Sequence, residues 1–273
     1  MSSTTPISEH ADVIIIGSGI SDSLTAYSLL TSPKAPKSVV MLEAREACSG
    51  ASGRNAGHCR PDAFRGFTAF SKIHGEEQAD EILKHEKKVL ELVDKFVRTN
   101  DVQCDWSLGK TFDVVMGEDF GNYVKGSYEK YAEYSGKGID GVRILDEKEA
   151  KEETRVPAAL GAYEWSAASI HPAKLNSQSW VVHTPTSKIT SPIVIHATNT
   201  FAATLIPSLK GKIVPVRAQA HRVIPTSEFC GEKMLTHTYI FIEIQPRTFL
   251  FVDTKKDRWR IHFGNLPRYS IYF

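Results

Sequence analysis

The stretch ADVIIIGSGISDSLTAYSLL, residues 11–30, combines a run of β-branched residues, a glycine turn and the start of a helix. Residues 13–16 predict a parallel strand that is covered on both faces. Gly17 permits a tight turn, and Gly19 lets the backbone approach a phosphate closely. A helix from about Ile20 then points its first amides at that phosphate. The order of these elements predicts a βα unit that binds the pyrophosphate of a dinucleotide.

A second strand and an acidic residue follow at the spacing that such a unit requires. Residues 38–42 (SVVML) predict a strand that ends in Glu43, which is 26 residues after Gly17. An acid at this place accepts hydrogen bonds from the hydroxyl groups of an adenosine ribose. The strand, the glycines, the helix and the acid together are far more specific than a lone glycine motif. An ordinary βαβ unit without a ligand remains the less favoured alternative.

Asp22 departs from the dinucleotide fingerprint, in which a third glycine stands where helix and strand pack closely. A carboxylate at ~5 Å from a phosphate repels it by about 3 kcal/mol at an effective dielectric constant of ~20. That repulsion weakens binding roughly 100-fold. In the alternative, Asp22 turns outward as an ordinary residue of the first helical turn.

Composition and charge exclude several classes of protein. The chain has 273 residues, 41% of them hydrophobic, and a formal net charge of +1, which argues against a nucleic-acid partner. Its four cysteines form no C-x-x-C pair and its histidines have no metal-ligand spacing, so no metal site or disulfide framework is predicted. The chain has no apolar signal core and no apolar run long enough to span a membrane. These features favour a cytoplasmic protein, with an oligomeric state that the sequence leaves open.

The rest of the chain alternates between helical and extended patterns. Residues 76–100 predict an amphipathic helix, and aromatic residues at 120–131 predict a second helix with its aromatic stripe in the core. Residues 103–116 predict β-structure, 146–153 a short charged helix, and 162–172 an extended segment. In that segment, Trp165 and His171 either line a pocket or serve as a packed aromatic and a surface histidine. A second buried strand, turn and helix is predicted at 191–205, and a further strand at 214–224.

Four pieces now carry a family resemblance: IIIGSGIS (14–21), VVMLEAREACSGASGRNAGHCRPD (39–62), IVIHATNTFAATL (193–205) and PVRAQAHRV (215–223). In this order they resemble the FAD-dependent oxidoreductases of the D-amino-acid oxidase and glycine oxidase (DAO) family, in particular its fungal members. The resemblance implies an α/β fold, with a Rossmann-like FAD-binding domain and a discontinuous, incomplete antiparallel β substrate domain. By resemblance, the FAD-binding part covers 8–100 and 190–211, and the substrate-type part covers 101–189 and 212–273.

The resemblance also implies the cofactor, FAD, and the residues that hold it. Glu43 would hold the ribose, with Ala44 and Arg45 beside the adenosine. The loop after it would line the diphosphate and the flavin ring, through Ser52, Gly53, Arg54, Asn55, Ala56 and Gly57. Ala197 and Thr198 match the second small-residue turn of the family. Gly17, Gly19 and Ile20 complete the predicted cofactor set. No catalytic base is assigned, and His58 and Arg222 are only candidates for that role.

Such enzymes oxidise a small amine or amino-acid-like substrate by hydride transfer to the flavin. Besides Asp22, the chain departs from the family pattern where HPAKL (171–175) runs almost directly into SWVVH (179–183), and where the match fades after about residue 237. The tail is either a set of strands or a non-native continuation, and the resemblance implies that the closing C-terminal part of the family is missing. A catalytically inactive, truncated relative is therefore the main alternative. A third interpretation is an NAD-dependent dehydrogenase. Glu43 would bind NAD as well as FAD, but the loop at 52–57 fits FAD better.

Overall fold

The computed structural model describes residues 9–176, 189–213, 218–223, 226–242, 249–255 and 258–264. The junction at 177–180, Arg217 and the end of the tail therefore lie outside the described residues. The strands are β1 (Val13–Ile16), β2 (Val39–Leu42), β3 (His58–Cys59), β4 (Ser107–Val115), β5 (Arg143–Leu145), β6 (Gly161–Ser169), β7 (Ile193–His196), β8 (Ala218–Val223), β9 (Thr238–Ile242), β10 (Phe249–Lys255) and β11 (Arg258–Gly264). The helices are α1 (Ile20–Leu30), α2 (Ala51–Arg54), α3 (Phe67–His74), α4 (Glu76–Thr99), α5 (Glu118–Ser135), α6 (Glu147–Thr154), α7 (Pro172–Asn176) and α8 (Ala202–Leu205).

The chain folds into two units, and each unit is built from two stretches of sequence. The first contains Met1–Asn55 and His171–Val216, and the second contains Ala56–Ile170 and Arg217–Phe273. Residues 56–100 thus group with the second unit, whereas the sequence prediction placed them in the FAD-binding part. The physical reason is that α3 and α4 share a core with α5 and the central strands of the second unit. The assignment of cofactor and substrate binding to these parts remains a prediction.

The first unit contains a parallel three-stranded sheet in the order β2-β1-β7. The β1 strand is its centre, and Ile15 packs against Ala26 of α1 and Met41 of β2. The predicted strand, turn and helix at 11–30 are therefore present, with α1 beginning at Ile20 as expected.

The prediction that the strand after residue 191 is buried is wrong. Ile193 and Val194 of β7 have exposed fractions of 52% and 47%. The reason is that β7 is an edge strand of the three-stranded sheet. Among the described residues, α1 packs on β1 and β2, so it leaves Ile193 and Val194 of β7 uncovered.

The second unit contains a mixed sheet in the order β3-β6-β4-β9-β10-β11-β8, with β5 added beside β6. Its ladders are antiparallel except for the pair of β4 with β9, which is parallel. The predicted antiparallel character therefore holds for most of the sheet. One face of its centre carries a core with Phe64, Phe67 and Trp165, and aromatic side chains of α5 complete that core.

Local sequence signals account for the helices of the second unit. The buried residues of α4 include Ala79, Leu83, Leu90 and Val97, which recur at helical spacing on one face. The aromatic stripe of α5 lies mainly in the core, as predicted. The α6 helix begins after Asp146, whose side chain accepts a hydrogen bond from the Glu149 amide in a reciprocal capping box.

In the described part of the chain, no helix is both long enough and apolar enough to cross a membrane.

Candidate cofactor site

The three parallel strands of the first unit bring the predicted cofactor residues to one edge of the sheet. Ile16, Leu42 and His196 are register partners at the carboxyl ends of β1, β2 and β7. The Gly17 amide donates to the Leu42 carbonyl at 2.7 Å, and the Ala197 amide donates to the Ile16 carbonyl at 3.1 Å. Ligands of open parallel sheets bind outside the carboxyl ends of the strands. The edge formed by these three ends is therefore the candidate cofactor site.

The glycine turn has the backbone that its sequence predicts. Gly17 has a φ of +125°, which is accessible to glycine and rarely adopted by other residues. Gly19 is the N-cap of α1 and has no side chain to cap the helix. The Ile20 amide donates to Ser52 Oγ at 3.0 Å, so the loop after β2 reaches the start of α1. The structure thus brings Gly17, Gly19, Ile20 and Ser52 together, and their role in cofactor binding remains a prediction.

Asp22 points into this turn, which excludes the outward orientation. Its exposed fraction is 1%, and Oδ2 accepts a hydrogen bond from the Gly19 amide at 2.8 Å. A Cβ atom added to Gly17 would lie 2.4 Å from Asp22 Oδ1, which shows how closely the carboxyl group fills the turn. Burial raises the pKa of Asp22 to about 6; hydrogen bonds from the amides of Gly19 and of Asp22 itself oppose this shift, and the nearby Glu43 charge adds to it.

This raised pKa predicts a pH dependence of stability that Asp22→Asn removes. A carboxyl group with a higher pKa in the folded state stabilises the protein in its neutral form, so its contribution is lost as pH rises from about 4 through about 6. We expect the free energy of unfolding of the wild type, relative to Asp22→Asn, to fall by about 1 kcal/mol between pH 5 and pH 8. Urea unfolding of both proteins, with the exposed first-turn variant Asp119→Asn as a control, measures this difference. Parallel pH profiles for the wild type and Asp22→Asn would contradict the prediction.

Glu43 is held in place by a serine that the sequence prediction missed. Ser18 Oγ donates to Glu43 Oε2 at 2.5 Å and accepts a hydrogen bond from the Cys48 amide at 2.9 Å. The Arg45 amide donates to Glu43 Oε1 at 3.0 Å. Each carboxylate oxygen still has a lone pair for a further donor. Ser18 stands between two glycines of the fingerprint, where a hydroxyl group is the only signal of this role.

The remaining predicted residues lie in the connection that follows β2. Ala44 and Arg45 are exposed, and the Arg45 guanidinium lies 5.8 Å from the centre of the Phe201 ring. This connection is not the continuous loop that the sequence predicts, because it contains α2 and β3. A Cβ atom on Gly53 would lie 2.0 Å from the Cys48 carbonyl oxygen, so the chain turns back on itself very tightly there.

The last four predicted residues of this connection divide between the two units. Arg54 and Asn55 donate hydrogen bonds to backbone carbonyls of their own turn. Ala56 and Gly57 begin the second unit, and the Ile170 amide donates to the Gly57 carbonyl at 2.8 Å. Their role in cofactor binding therefore remains a prediction.

Three buried side-chain atoms have no hydrogen-bond partner among the described residues: Asp22 Oδ1, Ser49 Oγ and Thr198 Oγ1. They lie in the connections that follow β1, β2 and β7, so each of the three strand ends supplies one of them. Buried polar atoms are rarely left without a partner in native proteins. Two hydroxyl groups are able to donate to an anion, whereas an ionised Asp22 is not. The hydroxyl donors at the ends of β2 and β7 fit the phosphates of a dinucleotide, whereas at the end of β1 the Asp22 carboxyl group disagrees with a phosphate.

The second unit holds a buried polar network next to the predicted loop. His58 Nε2 lies 2.6 Å from Thr238 Oγ1, and Thr111 Oγ1 donates to the Thr238 carbonyl at 3.2 Å. Arg60 donates to Thr111 and, at 2.7 Å, to the fully buried Asp113. Burial lowers the pKa of Arg60 to about 10, although the Asp113 charge acts in the opposite direction. The sequence offers no periodic signal for this network, since its members are distant along the chain.

Trp165 is both a packed aromatic residue and part of the lining of a cavity, so both predictions for it hold in part. Its indole amide donates to the Pro61 carbonyl at 2.8 Å, and the Arg60 guanidinium lies 4.1 Å from its ring centre. It also lines a cavity of about 500 Å³ within the second unit, together with Asp80, Lys84 and Tyr131. Arg222 lies on β8, opposite Arg260 of β11, and it remains only a candidate for the catalytic base.

Comparison with known proteins identifies the family. Residues 12–180 match the family of FAD dependent oxidoreductases known as DAO. This chain therefore belongs to the DAO family of FAD-dependent oxidoreductases. It is 22% identical over 260 residues to the probable oxidoreductase OrdL of Haemophilus influenzae. The alignment covers 84% of this chain and 59% of that protein. The chain thus spans about three-fifths of the length of this curated relative.

Solved structures confirm the fold. Glycine oxidase from Bacillus cereus superposes with a TM-score of 0.65 at 14% identity, covering 96% of this chain and 74% of that one. L-amino acid deaminase from Proteus vulgaris gives a TM-score of 0.66 at 15% identity, and the superposition covers 97% of this chain and 63% of the deaminase. L-alpha-glycerophosphate oxidase from Mycoplasma pneumoniae, which has FAD bound, gives a TM-score of 0.62 at 14% identity. The superposition covers 95% of this chain and 72% of the oxidase. The family match confirms FAD over NAD as the cofactor class, whereas the predicted similarity to fungal members stays a prediction.

Proposed function

We propose that this chain binds FAD at the carboxyl edge of the β2-β1-β7 sheet and serves the oxidation of an amine or amino-acid-like small molecule. The observation that carries the proposal is the register of Ile16, Leu42 and His196, which aligns three small or acidic turns at one edge. Glu43 would hold the adenosine ribose through its carboxylate oxygens. The hydroxyl groups of Ser49 and Thr198 would donate to the phosphates, because both are buried and unpaired among the described residues. The flavin, when bound, supplies the acceptor for a hydride.

The substrate class rests on the family and on its relatives. A glycine oxidase and an L-amino acid deaminase share the fold, and their names describe chemistry at an amine-bearing carbon. A cytoplasmic location and the absence of a nucleic-acid partner remain predictions.

A test of the cofactor assignment compares Glu43→Ala with Glu46→Ala. Loss of the hydrogen bonds between a charged group and the ribose costs about 1.5–3 kcal/mol, which lowers the affinity for FAD roughly 10- to 100-fold. Glu46 is an exposed acid three residues further on, so its replacement should leave the affinity unchanged. Quenching of flavin fluorescence during titration gives both dissociation constants. Equal affinities for the two variants would contradict the role of Glu43.

A non-catalytic relative is the second candidate function, and the orientation of Asp22 favours it. The purified chain should be mixed with FAD, passed through gel filtration and examined for visible flavin absorption. Flavin that stays with the protein, together with peroxide formation or dye reduction in the presence of an amine, supports the oxidoreductase. Retained flavin without turnover of any amine or amino acid supports the non-catalytic relative. Failure to retain flavin at every pH, by the wild type and by variants at Asp22 alike, excludes the proposed function.

A further inference from the structure

The start of α1 already contains an anion of its own. Asp22 is in the third position of the helix, and its Oδ2 accepts the Gly19 amide at 2.8 Å. The next amide, that of Ile20, donates to Ser52 Oγ at 3.0 Å. Two of the amides that a helix N-terminus offers to a phosphate are therefore used within the protein. A phosphate that approaches this turn meets a carboxyl group in the place of a free donor.

The second oxygen of Asp22 points to what this arrangement requires. Oδ1 is buried, has no partner among the described residues and lies against Gly17, where an added Cβ atom would be 2.4 Å away. An ionised oxygen there can only accept a hydrogen bond, and a phosphate oxygen has no proton to offer at neutral pH. A protonated carboxyl group, in contrast, donates one hydrogen bond and removes the like-charge repulsion.

We propose that FAD binds to this turn together with one proton, which Asp22 takes up from solvent as the pyrophosphate arrives. The carboxylate becomes a carboxylic acid, whose hydroxyl group donates to a phosphate oxygen, and no other bond changes. Asp22 is thus a determinant of cofactor affinity, and it makes the affinity dependent on pH. This inference rests on the proposed function, because it requires that FAD binds at this edge of the sheet.

Other titratable and charged groups surround the same edge. Glu43 stands at the end of β2 and acts on the Asp22 carboxyl group, and Arg45 and Arg54 lie in the connection that follows. The exposed His196 is at the end of β7. Wild type and Asp22→Asn share all four groups, so their contributions cancel when the two proteins are compared at each pH.

The proton-uptake prediction is tested on the full chain with three proteins: wild type, Asp22→Asn and Asp22→Gly. Asparagine keeps the shape and an accepting oxygen for the Gly19 amide, whereas glycine restores the fingerprint. For the wild type, the dissociation constant of FAD should increase tenfold per pH unit above the pKa of about 6, reaching roughly 100-fold near pH 8. Both variants should bind FAD with an affinity that varies much less over this range. Calorimetric titration in two buffers with different heats of ionisation should report the uptake of about one proton by the wild type alone.

Each outcome of this experiment is decisive. Binding by the two variants but not by the wild type at neutral pH supports the inference, because only the carboxylate differs. Equal and pH-independent affinities for all three proteins overturn the inference and leave the proposed function intact. If the dissociation constant of FAD increased equally steeply with pH in the wild type and in Asp22→Asn, the inference would also be overturned, since another group would then take up the proton. Absence of FAD binding by all three proteins at every pH overturns the proposed function together with this inference.

Discussion

Asp113→Asn should destabilise the protein by about 3–5 kcal/mol, since it removes the charge that pairs with the buried Arg60 and the partly exposed Arg65. Arg60 contacts Asp113 Oδ1 at 2.7 Å and Arg65 contacts Oδ2 at 3.3 Å, and the Asp113 side chain has no exposed surface. The Arg60 side chain is only 7% exposed and lies against the Trp165 ring, so it has no route to solvent without disrupting the core. An unpaired charge at this depth is far more costly than the loss of a surface pair.

Asp140→Asn is the matched control for this prediction. Asp140 pairs with Lys137 at 3.0 Å, but both side chains are well exposed, so its replacement should cost no more than about 1 kcal/mol. Urea unfolding followed by tryptophan fluorescence gives both free energies of unfolding. The double variant Arg60→Met with Asp113→Leu should recover much of the loss, because Arg65 is partly exposed and can hydrate. A loss below about 1 kcal/mol for Asp113→Asn would show that the cluster is not needed for stability.

Gly53→Ala is the second change with a large expected effect. Its Cβ atom would lie 2.0 Å from the Cys48 carbonyl oxygen, which is backbone and cannot rotate away. The Cys48 amide in turn donates to Ser18 Oγ, which holds Glu43, so a displaced Cys48 disturbs the acid that we assign to the ribose. We expect a loss of about 3 kcal/mol in stability from overpacking and a loss of FAD affinity of roughly 100-fold or more.

Gly50→Ala provides the control in the same connection. Gly50 has a φ of −80°, and the nearest atom to an added Cβ would be Arg45 Nη2 at 3.9 Å. This variant should stay within about 0.5 kcal/mol of the wild type, as surface substitutions usually do. Thermal unfolding and FAD titration of both variants measure the two effects. If Gly53→Ala matched Gly50→Ala in both measurements, the close approach to Cys48 would have no energetic consequence.

Local patterns were sufficient to predict β1 and α4, because a β-branched run and an amphipathic repeat act within a few residues. They were not sufficient to predict the pairing of β4 with β9, since Thr111 and Thr238 are separated by 127 positions. The same limit explains why the grouping of residues 56–100 with the second unit is not evident from the sequence. Their helices are evident from the sequence, but the core that they join is built from strands far along the chain.

In the candidate site too, some features follow from local sequence and others depend on the folded structure. The glycines and Glu43 follow a spacing that the sequence displays directly. The orientation of Asp22 depends on whether helix, turn and strand leave room for a carboxyl group, and both orientations satisfy the sequence pattern. Ser18 and Ser49 are marked in the sequence only by their hydroxyl groups, and a serine in a glycine-rich loop is common. The importance of Ser18 comes from its hydrogen bonds in the folded chain, and that of Ser49 from its burial.

The chain order of the strands also determines when each unit can be completed during synthesis. The partner of β1 on one side is β7, and the partner of β4 on one side is β9. Both late strands leave the ribosome only after the first 190 residues have been made. Until then β1 and β4 each present an open edge, which is a template for pairing with other chains. Translation from the N-terminus therefore imposes a long interval in which two half-built sheets coexist, and protection by chaperones is most valuable during that interval.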